Sequence, residues 1–142
     1  MKLFVYLAMV VTLLGCSKPP HEELLGYWKS NESRTLESMR KTPGIPMETR
    51  EFFENNFFGK LVVEYKVDTV RSKYELDKDN IEEFYKYYPY KVLEKGKNYY
   101  LLESHSYISD ENDINKIHME GNCYYALVTK YDFREYFCRI EK

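Results

Sequence analysis

The stretch Gly59-Lys60-Leu61-Val62-Val63-Glu64-Tyr65-Lys66-Val67-Asp68-Thr69-Val70-Arg71-Ser72-Lys73-Tyr74-Glu75-Leu76 decides the fold class. Leu61, Val63, Tyr65 and Val67 alternate with Val62, Glu64 and Lys66; after Asp68-Thr69, Val70, Ser72, Tyr74 and Leu76 alternate with Arg71, Lys73 and Glu75. Successive side chains of a strand point to opposite faces, so this period of two predicts two strands, each with one face available to a core. Asp77-Lys78-Asp79-Asn80 then reads as a turn.

The same pattern continues downstream. Ile81 to Tyr85 allows a helical turn, whereas Phe84 to Leu93 is too rich in aromatic and β-branched residues for helix, and Pro89 within it suggests an edge or a bulge. Lys95-Gly96-Lys97-Asn98 turns into a strand over 99–107. Ser109-Asp110-Glu111-Asn112-Asp113 turns again, and further strands are predicted over 114–120, 122–129 and 133–140. Upstream, Leu24-Leu25-Gly26-Tyr27-Trp28-Lys29-Ser30 reads as the first strand and holds the single Trp of the chain. Between it and Gly59 the period changes. Leu36 and Met39 sit at helical spacing within Glu32 to Lys41, and Pro43-Gly44-Ile45-Pro46 breaks that run. Pro46 suits the first turn of a second helix from Met47 to about Phe57, which Gly59 ends. The expected fold is mainly β: an eight-stranded antiparallel barrel with two short helices between strands 1 and 2. Closure follows because an open sheet of this size would leave two unpaired edges.

Cys123 and Cys138 can be cross-strand partners. Residue numbers of paired positions then sum to 261, which sets Tyr124 opposite Phe137 and Val128 opposite Phe133 and turns the chain at Lys130-Tyr131. The alternative is a pair of free buried thiols.

The chain opens with Met1-Lys2, an apolar run from Leu3 to Leu14, and Gly15-Cys16-Ser17. One early positive charge, a short apolar run and a small residue form a secretory pattern, and the run is too short to span a bilayer, which takes ~20 apolar residues. Leu13-Leu14-Gly15-Cys16 resembles the bacterial lipobox. The resemblance implies cleavage after residue 15, diacylglycerol and a further acyl chain (palmitate-type) on Cys16, and membrane attachment through that lipid. Ser17 lacks the Asp associated with inner-membrane retention, so the expected location is the cell envelope, at the outer membrane facing the periplasm. Residues 1–15 are thus read as signal peptide, 16–23 as a polar, Pro-stiffened tether, and 24–142 as one domain. Secretion also favours a bridge between Cys123 and Cys138.

Gly26-Tyr27-Trp28 is similar to the Gly-x-Trp of the first lipocalin strand. Together with Phe58-Gly59-Lys60-Leu61 and Glu135-Tyr136-Phe137-Cys138-Arg139, it resembles the lipocalin-like (calycin) domains of small bacterial lipoproteins. The two helices are similar in placement to the helical lid of fatty-acid-binding proteins. The resemblance implies a barrel closed at one end by Trp28, a basic residue such as Arg139 packed over that Trp, and a small apolar ligand.

With 21 Lys and Arg against 23 Asp and Glu, the chain has no basic footprint for nucleic acid. It contains no nucleotide loop, nucleophile elbow or zinc-protease motif, and no cofactor, metal or catalytic set is expected. His105 and His118 fall in neighbouring predicted strands near Glu103 and Glu120 but lack a third convergent ligand. Asp110 to Asp113 is oxygen-rich yet lacks calcium-loop spacing, so a solvated hairpin loop is expected there. The chain is instead rich in Tyr, with 15 in all. Tyr85, Tyr87, Tyr88, Tyr90, Tyr99, Tyr100, Tyr124 and Tyr125 recur along successive predicted strands. Trp28, Tyr88, Tyr90, Tyr99, Tyr125 and Arg139 are the candidate residues for binding a ligand or partner. Two functions compete: a non-enzymatic binding module for a small amphipathic or lipid-like ligand, and a periplasmic immunity or inhibitor protein that captures a toxin or cell-wall-degrading enzyme. A hollow barrel favours the first and a filled one the second.

Overall fold

The alternating stretch that begins at Leu61 becomes two neighbouring strands of a closed barrel. In the computed structural model, residues 19–75, 86–106 and 110–141 are described. The strands are β1 (Gly26–Ser30), β2 (Leu61–Tyr65), β3 (Thr69–Tyr74), β4 (Tyr88–Lys95), β5 (Tyr99–Ser106), β6 (Glu111–Glu120), β7 (Cys123–Val128) and β8 (Phe133–Ile140); α1 (Glu32–Arg40) and α2 (Met47–Asn56) follow β1 in the chain. Each strand pairs with its sequence neighbour and β8 returns to β1. The signal segment, Cys16, the turn expected at Asp77 to Asn80, the helical turn expected at 81–85, and Tyr85 itself lie outside the described residues.

The β7/β8 register follows the expected sum: Cys123 faces Cys138, Tyr124 faces Phe137 and Val128 faces Phe133. Cys123 and Cys138 form a disulfide. Directly opposed residues share a face, so the bridge lies on the outer face and the Tyr124–Phe137 pair on the inner one, with rings stacked at 5.1 Å.

Helix α1 solves an edge problem. Strand β1 covers β8 only from Phe137 to Ile140, leaving the preceding backbone of β8 without a strand on that side. The Asn31 N–H donates to Tyr136 O at 2.8 Å. Beyond it, the Thr35 hydroxyl accepts from Tyr136 N (3.0 Å) and the Ser38 hydroxyl from Arg134 N (2.9 Å). Side chains of α1 thereby satisfy donors that a missing strand would have taken. Asn31 caps the helix, its Oδ1 accepting from Arg34 N at 3.0 Å. The apolar side of α1, Leu36 and Met39, packs with Ile45, Phe58 and Phe133 in a second small core, against which Phe53 of α2 rests.

Four boundaries differ from expectation. Leu24 and Leu25 are not strand: Glu22–Leu24 form a single 3-10 turn, and Leu24 is fully buried against Trp28 because an apolar plug is needed where the barrel ends. Pro46 is the N-cap of α2 rather than part of its first turn. In β4 the irregularity falls between Val92 and Glu94 instead of at Pro89, which faces Thr69 at the short β3/β4 seam. Strand β6 begins at Glu111, so Glu111 to Asp113 are paired with Ser106 to Ser104, and among the described residues of that run Asp110 alone turns, at φ 55°. Continuing an existing ladder satisfies backbone groups that the polar composition of that run leaves open, and tertiary context wins over local propensity.

Candidate functional site

One end of the barrel is closed by a stack built from the first strand. Trp28 is 1% exposed. Its Nε1 donates to Leu24 O at 2.8 Å, its ring meets Tyr124 edge-on at 5.0 Å, and the Arg139 guanidinium lies 4.4 Å above it. Arg139 also donates to Leu25 O at 2.7 Å, tying the 3-10 turn to the end of β8. Gly26 has φ 119°, and a Cβ there would stand 2.8 Å from Arg139 Nη1, so the glycine of Gly-x-Trp makes room for this arginine.

The last residues of the stretch read as a tether belong to the same closure. His21 is buried, with Nε2 2.8 Å from Val67 O. Tyr100, wholly buried, donates its hydroxyl to Glu23, and Lys95 pairs with the same carboxylate at 3.2 Å. These two partners hold Glu23 below its usual pKa, and burial followed by the Glu23 contact pushes the Tyr100 hydroxyl up.

Above Trp28 lies a layer of tyrosines, and above that layer a cavity. Tyr65 sits 5.4 Å from Tyr90 and 6.3 Å from Tyr124, ring to ring. Tyr90 donates to Lys66 O at 2.7 Å, and Tyr124 and Tyr65 hydrogen-bond to each other. Burial raises the Tyr65 hydroxyl to about 12 and Tyr124 well above its ordinary value, so both stay neutral. The cavity measures about 300 Å³. Its apolar wall includes Val63, Val70, Leu102, Ile117, Ala126 and Phe137, and its polar rim includes Ser72, Ser104, Asp113 and Asn115. Asp113 and Asn115 are exposed, which places the opening at the far end from Trp28. Ligand sites start at roughly this size and share this division between apolar wall and few polar groups.

A larger groove of about 370 Å³ runs outside the barrel between α1 and β8, past Arg34, Glu37, Lys41 and Arg134. Its walls are mostly polar, and its charges are already engaged: Arg34 with Glu120 at 3.2 Å and Lys41 with Glu37 at 2.6 Å. The interior cavity is therefore the better candidate.

A comparison with protein-family models, curated proteins and solved structures finds no match.

The six expected binding residues divide into three places. Tyr88 and Tyr90 line the cavity. Trp28 and Arg139 form the closed end beneath it. Tyr99 and Tyr125 stand on the outer face, because Tyr100 and Tyr124, their immediate neighbours, point inward. There they join a cross-strand row: Tyr99 opposes His118, His118 opposes Tyr125, and Tyr125 opposes Tyr136. The His118 and Tyr125 rings stack at 4.9 Å, and burial first, then Lys116 and Arg134, keeps His118 below its usual pKa. His105 instead lies on Tyr88 at 5.4 Å with Asp110 3.4 Å away, so the two histidines do not converge. Among the described residues no group of three or more metal-ligating side chains gathers.

Two carboxylates that the sequence pattern does not single out, one buried and one half-buried, stand in the barrel wall. Glu64, on the outer face of β2, accepts from Tyr27 (2.8 Å), Tyr87 (2.8 Å) and Arg71 (2.7 Å). Burial works against its ionisation, but these three donors outweigh it and hold the carboxyl below its usual range. Glu135 is the opposite case. It faces Ala126 across the β7/β8 ladder and is two residues from Phe137, both lining the cavity, so it stands on the inward face of β8. Burial alone pushes its carboxyl up to about 7, and among the described residues no cation pairs with it.

An acid with a raised native pKa takes up its proton more readily when folded, so its ionisation opposes folding. For Glu135 the penalty is absent below the unfolded value near 4.5, grows as pH rises, and is complete above about 7. Glu135→Gln is expected to raise stability by about 2–3 kcal/mol at pH 8 and to change it little at pH 4.5, as measured by urea unfolding at both values.

Proposed function

We propose that the chain is an envelope lipoprotein, anchored through acylated Cys16, whose barrel is a non-enzymatic binding module for a small amphipathic or lipid-like ligand. The cavity carries the binding half of this reading: about 300 Å³ of space, apolar in depth and polar at its rim, inside a barrel whose other end is sealed. A side-chain-filled barrel of the same topology would leave only outer surfaces for recognition.

The closed end also supports a geometry for the anchored state. Lys95 Nζ donates to Pro20 O at 2.8 Å, so the chain is fixed to the Trp28 end from Pro20 onward. The four residue steps from Cys16 to Pro20 reach at most ~14 Å, so an anchor at Cys16 holds that end close to the bilayer and turns the rim away from it. The ligand then enters from the aqueous side. Cys16→Ala is expected to abolish acylation and to move the protein wholly from the membrane to the soluble fraction, checked by fractionation and by the mass of the N-terminal peptide; unchanged membrane retention would count against the anchor.

The outer aromatic row gives the inhibitor or immunity reading its own support. Lys116 lies 4.0 Å from the Tyr99 ring, Arg134 4.5 Å from Tyr125 and Arg34 4.1 Å from Tyr136, a combination of Tyr and Arg typical of protein interfaces. Recovery of a stoichiometric protein partner that Tyr125→Ala releases would favour it.

A further inference from the structure

We infer that the cavity selects amphiphiles with a cationic head, a primary or quaternary amine on an apolar tail, over fatty acids and other anionic lipids. The inference rests on the binding reading above and names the ligand's charge.

The charges around the cavity decide the sign of the head group. Arg71 and His105 are the basic residues among those that line the cavity, and Arg71, opposite Glu64 in the β2/β3 ladder, turns its side chain to the outer face. Arg71 is committed elsewhere: its Nε and Nη2 each lie 2.7 Å from Glu64 Oε2, and its guanidinium stacks 4.5 Å from the Tyr87 ring. His105 lies against Tyr88 with Asp110 beside it. An anionic head in the cavity therefore meets no free cation among the described residues. It meets an acid instead: Asp113 lines the cavity, opposite Ser104, and Glu135 stands beside the lining residues on the inward face of β8, opposite Ala126. Taking a carboxylate out of water against these groups costs desolvation with no compensating partner.

A cationic head reverses each of these terms. It finds a carboxylate at Asp113 or Glu135 that no cation among the described residues occupies, and its charge also favours the faces of the tyrosines that line the cavity, Tyr65, Tyr88, Tyr90 and Tyr124. The raised pKa of Glu135 agrees with a carboxyl held without a partner, which an amine would supply. The apolar wall, from Val63 to Phe137, takes the tail.

The test uses the full-length protein in lipid nanodiscs, with blank discs subtracted, and three probes that share one chain: octylamine, octanol and octanoate. Isothermal titration is expected to show octylamine binding about tenfold more tightly than octanol, with octanoate weakest. Glu135→Gln and Asp113→Asn should each lower the octylamine-to-octanol affinity ratio toward one; either variant alone suffices if the other fails to fold. Octanoate binding as tightly as octylamine, or tighter, overturns the charge selection and leaves the binding cavity standing. Binding by none of the three overturns both.

Discussion

Replacing Trp28 by Ala is expected to cost about 3–5 kcal/mol, the range for truncating a large buried aromatic side chain. Three losses combine there. The ring belongs to the main core, together with Leu24, Val63, Tyr124 and Phe137. Its removal opens a void that the neighbouring strands cannot close without breaking their register, because they are tied into a ring of eight. The Leu24 carbonyl loses its indole donor, and the Arg139 guanidinium loses the surface on which it lies 4.4 Å away. Trp28→Phe separates these effects: it keeps most of the apolar contact and loses the hydrogen bond, with an expected cost of about 1–2 kcal/mol. Far-UV circular dichroism during urea unfolding is the measurement, since Trp28 is the only Trp and its replacement removes the fluorescence signal. A Trp28→Ala protein within 1 kcal/mol of wild type, on the ~1.4 kcal/mol scale of a tenfold change in equilibrium, would mean that the closed end contributes little to the fold.

The second large effect belongs to the disulfide. Cys123 and Cys138 are 15 residues apart in sequence, and closing a loop of that size removes unfolded-state freedom worth about 3 kcal/mol in the chain-entropy account. The two cysteines already face one another in the β7/β8 ladder, so the bridge adds little to native geometry and acts mainly on the unfolded chain. Cys123→Ala/Cys138→Ala is expected to unfold about 3 kcal/mol sooner than the oxidised wild type, and wild type treated with reductant should shift by a similar amount. A reductant that leaves the unfolding midpoint unmoved would show that the bridge does not constrain the chain.

Most of the barrel was legible in the sequence because its strands carry one buried face. Leu61 to Tyr65 and Val70 to Tyr74 alternate, and a slip of one residue would send Val63 and Tyr65 to solvent, so pattern and register specify each other. The β7/β8 pairing was legible for a separate reason: two cysteines fix the sum of opposed residue numbers, and the apolar pairs that follow from it are consistent. Where the pattern failed, contacts distant in sequence decide. Leu24 looks like strand, yet Trp28 and Arg139 hold the chain before Gly26 in a turn. Asp110 to Asp113 looks like a loop, yet Ser104 and Ser106 offer a ladder to Asp113 and Glu111.

The site was less legible than the fold. Tyr88 and Tyr90 fall on the cavity wall, whereas Tyr99 and Tyr125, of the same residue type, have the parity that sends them outward. Glu135 was missed because it lies in a mixed run, Arg134-Glu135-Tyr136-Phe137, where charge suggests an exposed face. The signal was nonetheless present: the pairing that sets Tyr124 opposite Phe137 sets Glu135 opposite Ala126, on the same inward face. An acid paired with a small residue across a barrel wall marks interior space, and the same residue opposes folding above about pH 7.

The central claim is that the barrel is hollow in order to hold one small amphipathic molecule. Native mass spectrometry of the full-length protein extracted from its own membrane tests it most directly, with Ala126→Phe, which fills the cavity from the β7 wall, as the comparison. The account predicts one bound small molecule per chain in the wild type, lost in the folded Ala126→Phe variant. A wild-type protein that carries nothing and takes up no added octylamine, octanol or octanoate would contradict it.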